Sequence, residues 1–479
     1  MELTSWQFVA FGAAVIVAIN VSANPRYRAA VLALANVVFI GSHLNAPLQL
    51  LALVALLAGG YAAVAIVRRW THPAVVATSI AAIVFAFLYL KRYSFMSFIP
   101  ELHFPYLLLG LSYILFRIIH LIVDSASGGI EKPVDVGRYF NYTCNFLTFI
   151  SGPIQRFQDY RADADAARTL SADDVEAGFK RVIWGYFKML AVSASAHAIF
   201  LKLSPALLDP AVVASPWPSA ARYAATATVY TVFLYYNFSG FIDVVIGFGR
   251  LIGHRFPENF NRPFVAASFL DFWSRWHMTL SNWFRDYMFS PLLAALMSRY
   301  PSAKLAPWFG VAGFFVTFMV MGVWHGATPV FVAYGFAMGL GASLNKMWQL
   351  FMTARLGRKG YREFCKAPAY LYFCRGLTFA YFALGVTALW VDIGQLAHLG
   401  RTLGVAGVLA TFAALTVLGA LGLLAGDLAL SGFAWVVRAF VAERRGGMRV
   451  AFALACGVLL TLAVNTLFNQ PPEFVYRAF

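Results

Sequence analysis

Met321-Gly-Val-Trp-His-Gly-Ala327 sets a lone imidazole, His325, between apolar stretches that continue on both sides. A titratable group at bilayer depth is costly unless it is paired or lines a wet cavity, so His325 reads as a site and not as packing. The rest of the chain supplies the bilayer context. Of 479 residues, 61% are hydrophobic and 12% charged, and the mean hydropathy is +0.69. Soluble domains carry about a quarter charged residues. A deficit of about twofold requires an apolar solvent, which marks a multi-span membrane protein.

The net charge of +16 is explained by basic cytoplasmic loops, with no need for a nucleic-acid partner. Basic clusters stand at Arg26/Arg28, Arg68/Arg69, Arg156 to Arg181, Arg250 to Arg285, Arg355 to Arg375 and Arg438 to Arg449. Between them run apolar segments of about 20 residues, enough to cross about 30 Å of hydrocarbon as helix. Roughly ten to thirteen spans are expected on that length criterion, among them 104–123, 182–203, 222–249, 308–325, 328–350 and 449–468. The expected fold is an all-α integral membrane protein, with re-entrant and amphipathic helices beside the spans. It forms one multi-span domain over 1–479, with a core at about 140–350 and peripheral spans in 1–123 and 376–468. Trp6 to Val21 lacks a basic flank and follows Glu2, so it reads as a first span and not as a signal peptide. Cys144, Cys365, Cys374 and Cys456 are scattered and show neither disulfide nor metal-ligand spacing.

Two stretches do not behave as plain spans. Residues 124–181 are polar and glycine- and proline-punctuated, as expected of amphipathic helices on the inner surface. Phe264 to Leu293 is as aromatic as a span yet holds Asp271, Arg275, His277, Arg285 and Asp286. With its full charges facing lipid at about 3 kcal/mol each, the segment would lose on the order of 12 kcal/mol. It therefore reads as a helix or re-entrant pair inside the protein, with Asp271 and Arg275 compensating each other at i,i+4. On one helix His277 and Ser281 would share a face. Arg275, Arg285 and Asp286 read as structural ion pairs, since buried charge needs partners in any protein.

Phe272-Trp-Ser-Arg-Trp-His-Met-Thr-Leu-Ser-Asn-Trp-Phe-Arg-Asp-Tyr287, followed by Met321-Gly-Val-Trp-His-Gly326, resembles the paired signature of the membrane-bound O-acyltransferase (MBOAT) family. The resemblance extends to Ser151-Gly-Pro-Ile154, Asn237-Phe-Ser-Gly-Phe-Ile-Asp243, Gly247-Phe-Gly249 and Pro257-Glu-Asn-Phe-Asn-Arg-Pro263. It covers about 140 to 350 by motif. The bacterial branch it is similar to contains the alginate O-acetylation and teichoic-acid D-alanylation membrane proteins.

This resemblance implies transfer of an acyl group from a cytoplasmic thioester to a hydroxyl, through a central tunnel crossing a bacterial inner membrane. The thioester is a co-substrate, acetyl-CoA or an acyl-carrier protein; no bound cofactor and no metal are implied. The resemblance makes His325 the general base that takes the hydroxyl proton. His277 takes a second role, orienting the acyl donor or stabilising the oxyanion. Trp324 and Trp276 wall the tunnel on this reading and serve packing on the plainer one. Ser281, Arg275 and Asp286 would support the site. Asp243, inside an apolar span, would orient a histidine or cap a re-entrant helix. Expected partners are membrane lipid, an extracytoplasmic second acyltransferase and a cytoplasmic acyl-carrier protein. The basic run Arg355 to Arg375 is either a positive-inside signal or a docking surface for that carrier.

Acetyl transfer to an exopolysaccharide is the first expectation and D-alanyl transfer the second. The chain departs from both branches: Ser290-Pro-Leu-Leu-Ala-Ala-Leu296 replaces a Pro-Leu-Gly-Gly-Asn element, and no histidine follows Tyr334-Gly335. The ending Glu473-Phe-Val-Tyr-Arg-Ala-Phe479 departs too. A transporter for an envelope lipid or sugar is the reading of another class, since Asp243, Asp271 and His325 could relay protons. Against it, the charges concentrate in one central block and no inverted repeat is visible.

Overall fold

The computed structural model describes residues 1–106, 109–167, 169–209, 215–441 and 457. Most of the expected span 449–468, together with Cys456 and the tail Glu473–Phe479, lies outside the described residues. What is described is helix and connecting loop, with no strand among the described residues.

The chain divides into two compact units, the first comprising residues 1–186 and 238–258, the second 187–237 and the described residues from 259 onward. The first begins with α1 (Trp6–Ile19), α2 (Pro25–Gly41), α3 (Leu51–Arg69) and α4 (Pro73–Leu90). It continues with α5 (Leu111–Ala126), α6 (Val136–Thr143), α7 (Phe157–Asp165) and α8 (Ala172–Phe187). In the second, α8 runs through a π-turn into α9 (Ala194–Leu203), followed by the short α10 (Pro205–Leu208). The long α11 (Pro216–Leu251) contributes residues to both units. The second unit then holds α12 (Phe269–Trp273), α13 (Met278–Phe284), α14 (Ser290–Arg299), α15 (Ala306–His325), α16 (Pro329–Phe364), α17 (Pro368–Gly385) and α18 (Ile393–Val441).

Seven helices among the described residues are long and apolar enough to cross a membrane: Pro47–Arg69, Pro73–Leu90, Ala172–Leu203, Pro216–Leu251, Ala306–His325, Pro368–Leu389 and Ile393–Ala429. The expectation of ten to thirteen rested on hydropathy alone, and the difference lies in helix length and in what surrounds each helix. The apolar α1 stops after 14 residues. The expected span 104–123 is represented by α5, whose 16 residues are buried on almost every side. α16 has 36 residues, but its second half carries Arg355, Arg358, Lys359 and Arg362 and turns at Gly357, where φ is 69°.

Polar side chains knit the first unit where water is scarce. Arg117 on α5 is 1% exposed and donates to the Thr143 carbonyl at 2.7 Å and to the Thr148 carbonyl and hydroxyl at 2.6 Å. Asn36 on α2 donates to Asn141 at 3.0 Å and accepts from the Phe146 N–H at 2.8 Å. The last carbonyls of α11 have no intrahelical partner. They receive the Asn20 amide at Leu251, 2.9 Å, and the Arg28 guanidinium at Ile252, 2.8 Å.

Close helix contacts use facing small residues, the packing available where lipid removes the hydrophobic drive between helices. In the first unit a methyl on Gly185 would stand 2.6 Å from the Gly240 carbonyl, and one on Gly247 2.8 Å from the Gly178 carbonyl. That brings α8 against α11 with Arg181 and Asp243 at the centre of the contact. In the second unit α15 and α16 form an antiparallel hairpin. A methyl on Gly322 would lie 2.3 Å from the Gly335 Cα, and the Ser343 hydroxyl donates to the Val311 carbonyl at 3.0 Å further along.

Gly322→Ala is accordingly expected to lower the thermal unfolding midpoint of the detergent-solubilised protein by several degrees, since forced overpacking costs about 1–3 kcal/mol. Gly59→Ala, whose methyl meets nothing within 4 Å, is expected to leave the midpoint unchanged. Equal midpoints for the two variants would remove the glycine contact from the forces that hold α15 against α16.

Candidate functional site

The aromatic, charged run 264–293 is not one helix. It folds as α12, a break, α13 and then a π-turn over Arg285–Phe289. The start of α12 is capped by Ser268, whose hydroxyl accepts from the Asp271 N–H at 3.2 Å. Asp271 reaches back to the Ala267 N–H at 3.0 Å and meets Arg275 Nε at 2.8 Å, the expected i,i+4 compensation. The Leu270 N–H finds Asn345 of α16 at 3.2 Å. Packing completes the anchorage: Trp273 lies 4.9 Å from Phe318 of α15 and Phe272 4.5 Å from Phe382 of α17, centroid to centroid. α12 is therefore gripped by three long helices of its unit.

The break falls on His277, whose φ of 43° and ψ of 51° put it in the left-handed region. A non-glycine residue there costs about 1–3 kcal/mol and persists only where its surroundings over-determine it. Asn259 does so here. Its carbonyl accepts from the Met278 N–H at 2.9 Å, and its side-chain oxygen accepts from the Thr279 N–H at 3.1 Å and the Thr279 hydroxyl at 2.8 Å. The same oxygen lies 3.1 Å from His277 Nδ1. The break separates His277 and Ser281 from α12, so the segment is not one continuous helix, while the two keep their i,i+4 relation at the start of α13. The Ser281 hydroxyl donates to the Trp276 carbonyl at 3.2 Å, and its N–H to the His277 carbonyl at 3.0 Å.

His325 is the last residue of α15, three positions after the Gly322 contact, and is 3% exposed. Its ring packs 4.7 Å from Trp324 and edge-on to Tyr334 of α16 at 5.2 Å. His277 is 1% exposed and lies outside the seven apolar spans. Burial, and then the nearby His325, hold its imidazole well below the ordinary range. The two histidines, 48 positions apart in sequence, thus belong to one buried neighbourhood of the second unit.

The other expected residues divide. Trp276 is enclosed by an aromatic shell, with Phe382 at 4.7 Å, Phe260 at 5.1 Å and Phe272 stacked at 5.5 Å. Arg275 stays with Asp271. Asp286 pairs with Arg285 at 2.9 Å on an exposed face, so that pair carries little energy, of the order of 0–1 kcal/mol. Asp243 belongs to the first unit. Its carboxylate is buried and meets Arg181 of α8 at 2.8 Å, and the same guanidinium forks onto Glu258. Sequence reasoning missed Asn259, Tyr334 and Arg181. Asn259 sits inside the quoted Pro257–Pro263 block, where an asparagine among aromatics and prolines signals a turn or cap. Arg181 was hidden within a basic cluster, and only the glycine spacing Gly178/Gly185 against Gly240/Gly247 singles it out.

A family model described as MBOAT, membrane-bound O-acyltransferase family, matches residues 124–383, a stretch that includes all eight expected site residues. The chain is 30% identical over 250 residues to a teichoic acid D-alanyltransferase of Bacillus subtilis, covering 51% of this chain and 61% of that protein. A second teichoic acid D-alanyltransferase, from Streptococcus thermophilus, is 30% identical over 243 residues, 50% of this chain and 57% of that protein. A probable alginate O-acetylase AlgI of Pseudomonas syringae pv. tomato is 31% identical over 238 residues, 50% of this chain and 42% of that protein. The chain spans between 42% and 61% of the length of these relatives.

Removing the Asp243 carboxylate takes the buried partner from a part-buried guanidinium that Glu258 still holds, a loss of the order of 1–3 kcal/mol. Asp243→Ala is expected to destabilise the solubilised protein to that degree, and Arg181→Met/Asp243→Leu together by less than Asp243→Ala alone. Additive losses in a thermal double-mutant cycle would show that the two groups do not act as a pair.

Proposed function

Because the chain belongs to the membrane-bound O-acyltransferase family, we propose that it moves an acyl group, acetyl in the first instance, from a cytoplasmic thioester toward hydroxyls of a cell-surface polysaccharide. The observation that carries this reading is the convergence of His277 and His325, one from each signature block, in a single buried neighbourhood of one unit. With seven membrane-length helices among the described residues, the chain is a multi-pass membrane protein; we place it in a bacterial inner membrane. The whole chain acts as one domain on this reading, with a tunnel bringing the two substrates to the histidines.

An alcohol is a poor nucleophile at neutral pH. A neutral imidazole at His325 takes its proton as the oxygen attacks the thioester carbonyl, a contribution of about 10²–10⁴-fold. The ester C–O bond forms, the C–S bond breaks, and the proton is returned to the leaving thiolate. His277 takes the second role, orienting the donor or stabilising the oxyanion. Trp276, Trp324, Ser281 and Arg275 keep the two histidines in place, and Asp243 and Asp286 support the scaffold. The donor is acetyl-CoA on the first reading. The acyl group then passes to a second, extracytoplasmic acyltransferase, so this polypeptide need not touch the final polymer.

D-alanyl transfer from an acyl-carrier protein is the second reading, and 30% identity to the Bacillus subtilis protein favours it. Mass spectrometry of esters released from the cell envelope by mild alkali separates the two. His325→Ala at matched membrane level is expected to lower the released acetate about 10²-fold or more. Loss of alanine in its place selects the second reading, and unchanged esters in both His325→Ala and a deletion strain would overturn envelope acylation.

A further inference from the structure

Asn259 is wholly buried, and one of its side-chain atoms faces three groups: the Thr279 N–H, the Thr279 hydroxyl and His277 Nδ1. A backbone N–H can only donate. The atom that meets it at 3.1 Å is therefore the amide oxygen, because turning the amide over would set donor against donor. The assignment propagates along the network. An amide oxygen only accepts, so the His277 nitrogen 3.1 Å away must carry its proton on Nδ1. In a neutral ring the lone pair then sits on Nε2, and burial favours the neutral ring.

We infer that Asn259 is a positioning residue that holds His277 as the Nδ1–H tautomer, so that Nε2 meets a substrate N–H or O–H as a hydrogen-bond acceptor and does not donate to the oxyanion. The inference rests on the acyl-transfer reading above and chooses between the two roles left to His277 there. Stabilising an oxyanion requires a hydrogen-bond donor aimed at it, and a neutral ring with its only N–H committed to Asn259 has none to offer. Orienting a substrate by accepting its hydrogen bond remains, and the N–H of a thioester donor's amide arm and the O–H of the acceptor are both groups of that kind. The backbone contributes to the same end. Asn259 binds the N–H groups of Met278 and Thr279, the two residues after the left-handed His277, so one residue sets both the ring's tautomer and its direction.

Two measurements test the inference. Solid-state NMR of the full chain in lipid nanodiscs, ¹⁵N-labelled at histidine and assigned by difference with His277→Gln, distinguishes a protonated from a bare ring nitrogen. A proton on Nδ1 of His277 is expected, and a proton on Nε2 alone would overturn the assignment. The second measurement is the alkali-released envelope ester at matched membrane level. Asn259→Ala is expected to lower it at least about tenfold, as loss of a tautomer-fixing partner does elsewhere, and Asn259→Asp, which keeps an oxygen acceptor, to recover most of it. An Asn259→Ala strain as active as wild type would sink the positioning role. Where Asn259→Ala fails to accumulate, the wild-type spectrum still decides the tautomer. If esters are unchanged even in His325→Ala while Nδ1 carries the proton, the acyl-transfer reading fails and the tautomer assignment stands.

Discussion

A polar group that cannot reach water must find its partner inside the protein, and that constraint organises both units. Arg117 ties α5 to the last carbonyl of α6 and to the Thr148 carbonyl in the loop beyond it, the Asn36–Asn141 pair ties α2 to α6, and Arg28 with Asn20 closes the end of α11. Each interaction is modest against its hydrated alternative. Its loss is not, because the orphaned partner then stays desolvated. The charged, aromatic segment after residue 263 obeys the same constraint. Asp271 binds a helix start and Arg275 together, so no full charge of that pair is left facing hydrocarbon.

The histidine neighbourhood draws on two devices of different kinds. His325 rides at the end of a helix whose position follows from backbone contact between Gly322 and Gly335; it is set by what is missing, a pair of side chains. His277 is set by what is present, an asparagine that over-determines a left-handed residue. Both devices fix where a ring sits, and the proposed acyl transfer would be sensitive to that, since misplacing a reacting group by about 1 Å can cost about 10²-fold in rate. A buried pair of imidazoles also cannot both be charged cheaply, and burial with the nearby His325 favours the neutral ring at His277.

Much was legible beforehand, and the reasons are specific. An apolar solvent leaves its mark on composition directly, so membrane insertion and the helical class followed from 61% hydrophobic and 12% charged residues. The cost of charge in lipid marked 264–293 as an internal segment, and the Asp271–Arg275 spacing anticipated the observed pair. Seven apolar helices of membrane length stand among the described residues, and the expected span 449–468 lies almost wholly outside them. Hydropathy measures what a residue prefers and not what surrounds it, so it could not separate the short, enclosed α5 from a lipid-facing span.

The sequence by itself determined the solvent, the helical class, the family signature and the two histidines, because each is a property of residue type and local spacing. Tertiary structure decided the partners. Asp243 went to Arg181 because four glycines bring α8 and α11 into contact around them, and Asp286 sits on an exposed face within the π-turn Arg285–Phe289, beside Arg285. It also decided where the helix breaks at His277. A left-handed histidine is unfavourable taken alone, and only the hydrogen bonds of Asn259, 18 residues away in sequence, make that conformation the stable one.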